Sequence, residues 1–183
     1  GGGTPYQRQA GFEDPPQAMF DYLRLELRGV VGDETLWRFC RDSAANLAWL
    51  EQQGARFDAT MPPHKTSYPP DGCYLYCSGN EVVPAYRGEH APAPRGHRTL
   101  ARGQAGATLY AALQAATLAA GAKAVTQSCV RRLVRERGTG RVLGVEIWQL
   151  PHGHPETRRH AALNAKANRW RNWRAAAAER WRR

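Results

Sequence analysis

The chain has 183 residues, 42% of them hydrophobic and 23% charged, with a formal net charge of +10. That apolar content excludes wholesale disorder, the length holds one domain or a piece of one, and no apolar run reaches the ~20 residues of a membrane span. The charge raises nucleic acid as a partner, but residues 151–183 hold nine Lys or Arg against two Glu, a net of +7 that leaves only +3 on the first 150 residues.

The first fourteen residues, opening on "GGGTPYQ" without an initiator Met, read as a Gly-rich loop and as an interior stretch of a longer reading frame. "DPPQAMFDYLRLEL" starts a helix with Asp14 as N-cap, Pro in its first turn, and Met19, Tyr22 or Leu23, and Leu27 at helical spacing. After Gly29 to Gly32, Asp33 caps a second helix striped by Leu36, Phe39 or Cys40, Leu47 and Leu50, ended by Gly54. Residues 1–54 therefore predict a helical hairpin. Residues 55–102 hold most of the prolines and no periodicity, and read as one long loop; loops of that length are usually functional. Residues 103–150 read as a helix ("QAGATLYAALQAATLAAG"), a short strand ("KAVTQS", 123–128) and a β-hairpin over Cys129–Leu150 that turns at Gly138-Thr139-Gly140. Residues 151–183 form a basic helix whose Leu163, Ala167, Trp170, Trp173, Ala177 and Trp181 share one face.

A strand directly after a helix calls for a parallel neighbour, and residues 1–105 offer none. Either the sheet lies outside this chain, or the three strands make a sheet of their own with helices on one face. Both readings give an α+β chain. The glycines of "RGTGRVLG" sit between two strands, so they are turn residues and not a phosphate loop. Cys73 and Cys77 lack the spacing and the second ligand pair of a zinc site, so no metal is expected. With no signal peptide, reduced thiols in the cytoplasm are the default. Arg95, Gly96, His97, Arg98 and Arg102 precede a helix start, where cations and an imidazole favour an anion or a carbonyl oxygen gaining charge; the plainer reading is a solvated loop. No catalytic residue set emerges from spacing.

Five stretches then change the reading. "GGGTPYQRQAGFEDPPQAMFDYL", "WLEQQGARF", "YCSGNE", "APAPRGH" and "GAKAVTQSCVRRLVRERGTGRVLGVEI" stand in the order and spacing of FAD-binding proteins of the fumarate reductase and 3-oxosteroid dehydrogenase superfamily. "LPHGHPETRRHAALNAKANRWRNW" is similar to a helical insertion after the hairpin in the steroid-dehydrogenase-like branch. The resemblance covers nearly the whole chain. It implies part of a Rossmann-like FAD domain, with "KAVTQS" returning to its parallel sheet and the hairpin packing over that sheet. It also implies FAD in the intact parent, with main-chain groups of Cys129 and Val130 at the adenine. Arg95, Gly96, His97, Gly103 and Gly106 would then lie on the flavin and substrate side. The implied chemistry is oxidation or reduction of a C–C bond beside a carbonyl, in a steroid-like or dicarboxylate substrate. The family's "GxGxxG" and its substrate-capping domain are absent here, and "QAGATL" lacks one Gly of the usual pair. The isolated chain is therefore expected to be inactive and prone to self-association. A second reading, from charge alone, is a small basic module for nucleic acid or an anionic surface.

Overall fold

The computed structural model describes residues 1–170. The chain is α+β and divides into two compact units, residues 1–122 and the segment from Lys123 onward.

In the first unit the opening glycines are packed rather than loose. Gly1 and Gly2 lie so close to Ser43, Asp14 and Met19 that a side chain there would collide with them. Thr4 then caps a short helix, α1 (Pro5–Gln9). Its hydroxyl accepts from the Gln7 backbone N–H, and the Gln7 side chain accepts from Thr4 N–H, a reciprocal capping box. Residues 1–14 are thus not the loop that glycine content suggests.

Helix α2 (Pro16–Leu27) has Pro15 at its N-cap and no side-chain cap. Asp14 does not cap it; its carboxylate turns to Gln7 and Arg95 instead. The second expected helix is two: α3 (Asp33–Arg41), capped by Gly32 with Asp33 in its first turn, and α4 (Ser43–Gln52), with Asp42 between them. Gly54, at φ +95°, sits just past the end of α4, where a left-handed residue stops a helix. Met19, Leu36 and Cys40 form one buried cluster, joining α2 to α3; Leu47, Ala55 and Phe57 form a second, with Tyr6 and Leu109 against it.

The long loop is tied by main-chain hydrogen bonds. A two-residue antiparallel ladder pairs β1 (Leu75–Tyr76) with β2 (Gly96–His97), and a short helix, α5 (Pro84–Arg87), lies between them. The amides of Tyr74 and Leu75 both donate to Thr60 O, and Leu100 N–H donates to Arg56 O. Such pairing satisfies backbone groups that an irregular segment would leave buried and unmet. Helix α6 (Gly106–Ala119) follows, and Gly121 at φ +87° ends its last turn.

In the second unit β3 (Ser128–Arg135) pairs antiparallel with β4 (Val142–Gln149). Gly138 and Gly140 occupy the turn at positive φ, as their place between two strands requires. Residues 123–127 carry no strand. Among the described residues both sheets are two-stranded and antiparallel, so the segment has no parallel neighbour to pair with. Helix α7 (Pro155–Trp170) follows the hairpin; Ala167 on it is buried and Leu163 half-buried. Trp173, Ala177 and Trp181 lie outside the described residues.

Candidate functional site

A cleft of about 550 Å³ opens in the first unit, lined by Leu47, Phe57, Tyr76, Gly96, His97 and Leu109 among others. Ladder β1–β2 supplies one wall and the start of α6 another, so Gly106 also borders it. Of the residues singled out from sequence, Arg95, Gly96, His97 and Gly106 come together here. Gly103 does not line the cleft; it adopts φ +65°, and its N–H donates to Asp71 at 2.9 Å.

The cations of this stretch do not face a ligand. Arg95 is turned inward, with 9% of its side chain exposed against 0% for Asp14, and the two make a bidentate pair at 2.8 and 2.5 Å. Its guanidinium also lies 4.6 Å from the centre of the Tyr22 ring. Arg98 is held by the carbonyls of Pro69, Pro70, Ala101 and Gly103 and by the Asp71 carboxylate. These bonds occupy Arg95 and Arg98, two of the three guanidinium charges that suggested an anion site; Arg102 is exposed.

His97 is equally engaged. Nδ1 lies 3.2 Å from Arg95 O and 3.4 Å from Gly1 N, and Nε2 lies 2.9 Å from Thr4 Oγ1. Tyr6 and Phe57 stand edge-on to its ring, each at 6.4 Å. Burial lowers its pKa from 6.5 to about 4, so the imidazole is neutral at pH 7. With both nitrogens committed it fixes the wall of the cleft and has none left for a ligand.

Sequence reasoning missed the network behind this wall. Gln7 Nε2 donates to Asp14 Oδ2 at 3.1 Å and to Pro94 O at 2.9 Å, so Thr4, Gln7 and Asp14 link the opening residues to β2. The Thr-x-x-Gln spacing was the readable signal for it. Glu81, also missed, is buried with Oε2 unpartnered among the described residues. All four cysteines are free thiols, and no group of metal-binding side chains occurs among the described residues. Cys129 and Val130 follow Ser128 at the start of β3 in the second unit, both exposed.

The sequence pattern of the FAD binding domain family matches residues 3–180. The chain belongs to that family. It is 57% identical, over 166 residues, to a 3-oxo-5-alpha-steroid 4-dehydrogenase of Comamonas testosteroni, covering 89% of this chain and 31% of the relative. A solved structure, the 3-ketosteroid-Δ4-(5α)-dehydrogenase of Rhodococcus jostii RHA1 in complex with 4-androstene-3,17-dione, superposes with a TM-score of 0.75 at 30% identity. That match covers 84% of this chain and 32% of the other. The chain thus spans about a third of the length of either relative.

The described residues do not by themselves fit a whole FAD. A pyrophosphate needs free donors, commonly the amides of a Gly-rich turn between a strand and a helix. Both sheets here are antiparallel pairs, the approach to α6 is a loop, and the two buried guanidiniums are engaged. The orphaned Glu81 oxygen is an acceptor, which a phosphate would avoid.

Proposed function

We propose that the chain is part of an FAD-dependent oxidoreductase that dehydrogenates or reduces a C–C bond beside the ketone of a 3-oxosteroid-like substrate. The carrying observation is the 57% identity over 166 residues to a steroid 4-dehydrogenase. The cleft supports a steroid over a dicarboxylate. Leu47, Leu50, Phe57 and Leu109 give it an apolar patch, and a dicarboxylate would need free cations where Arg95 and Arg98 are already paired. The main chain of Arg95 to His97 and the segment Gly103 to Gly106 border the flavin and substrate side, while main-chain groups of Cys129 and Val130 meet the adenine. Flavin supplies the hydride chemistry; these residues shape and dry the surface against which the rings lie. Four free thiols favour a reducing, cytoplasmic setting. No helix among the described residues is long and apolar enough to cross a membrane. The relatives lend no support to a basic nucleic-acid module.

The test is exchange of the matching segment of the Comamonas relative for this chain. The expected product carries FAD and oxidises a 3-oxosteroid. A flavinated, folded product without turnover of any 3-oxosteroid would refute the proposal.

A further inference from the structure

Seven cleft-lining residues carry polar side chains: Ser43, Asn46, Tyr76, Arg95, His97, Arg98 and Thr99. Five are committed. Ser43 accepts from Gly2 N–H at 3.0 Å, Thr99 donates to Ala105 O at 3.1 Å, and Arg95, His97 and Arg98 are bonded as described. The Asn46 amide and the Tyr76 hydroxyl have no side-chain partner among the described residues, and Asn46 is exposed, where water satisfies it. Tyr76 is half-buried, and its hydroxyl, accessible and uncommitted among the described residues, is free to donate.

Its position is fixed by Gly96, its partner in the β1–β2 ladder. A Cβ at residue 96 would fall 2.8 Å from both Cε2 and Cζ of the Tyr76 ring and 2.9 Å from Tyr76 O. The ring therefore lies across the bare backbone of β2, with its hydroxyl-bearing end over Gly96, on the wall of the cleft. Resting on the functional reading above, we propose that the Tyr76 hydroxyl donates a hydrogen bond to a carbonyl oxygen of the planar ligand in this cleft, and that Gly96 makes room for it.

Two carbonyl sources share this chemistry, a steroid ketone and a flavin ring carbonyl. The test is equilibrium dialysis of the full chain with 4-androstene-3,17-dione, with lumiflavin, and with the ketone-free 5α-androstane. Tyr76→Phe should weaken binding of one carbonyl probe by about three- to tenfold, the value of one hydrogen bond, and leave 5α-androstane unchanged. Whichever carbonyl probe responds identifies the source. Gly96→Ala should weaken every probe that the wild-type chain binds while the chain keeps its far-UV circular dichroism. Equal binding of the carbonyl probes by wild type and Tyr76→Phe would overturn the assignment and leave the cleft reading standing. Failure of all three probes to bind the wild-type chain would overturn both.

Discussion

Asp14 and Arg95 form the most deeply buried ion pair among the described residues of the first unit. Both side chains are nine-tenths or more buried and their contact is bidentate, so removing one partner strands the other charge in a dry site. Asp14→Asn should cost about 3–5 kcal/mol of stability, read as a fall in the urea midpoint. His97 gives a pH signature of the opposite kind. Its folded pKa of about 4 lies below the ordinary 6.5, so the unfolded chain binds the extra proton between those values. Its contribution is complete above pH 6.5 and is lost as pH falls toward 4. Melting temperature should therefore drop across that window in the wild type and drop less in His97→Gln; parallel curves would show that another group governs the acid transition. None of these three roles was legible in the sequence. Asp before Pro-Pro reads as a cap, and Arg-Gly-His before a helix reads as a cationic anion site, because spacing shows the residue types but not that Asp14 and Arg95 face each other.

At the level of elements, the hairpin was legible to within a residue at each end, since β-branched residues flanking a Gly-x-Gly turn leave few alternatives. The segment Lys123–Gln127 has strand composition too, but a strand is a property of a pair, and its neighbour is not among the described residues. The long α3–α4 reading failed at Asp42, which interrupts the helix without Gly or Pro to announce it. The hairpin's register also makes its two faces unequal. The cross-strand pairs Val130–Ile147 and Leu133–Val145 stand on one face and are 39–59% exposed, while Arg132–Glu146 and Cys129–Trp148 occupy the other. An apolar face of this kind drives association. Sedimentation velocity should show the chain forming concentration-dependent oligomers, and Leu133→Glu should shift it toward monomer with little change in melting temperature. Unchanged oligomers in that variant would place the sticky surface elsewhere.

For the molecule as a whole, the family was readable from five collinear stretches, whereas the packed network that builds the cleft was not. On the reading proposed above, the chain supplies one wall of a cleft in a steroid-oxidising flavoenzyme, without the donors that seat a pyrophosphate. Helix α6 is consistent with that division: it is apolar on most sides, yet Tyr110 and Leu118 are exposed, as on a helix whose other packing partners belong to the longer protein. The measurement that bears most directly on this claim is a titration of the purified 183-residue chain with FAD, followed by flavin fluorescence and melting temperature. The account predicts a colourless protein, no saturable binding at micromolar FAD and no rise in melting temperature. Saturable one-to-one binding at that concentration, with a clear thermal shift, would mean that a complete cofactor seat exists within these residues and would contradict it.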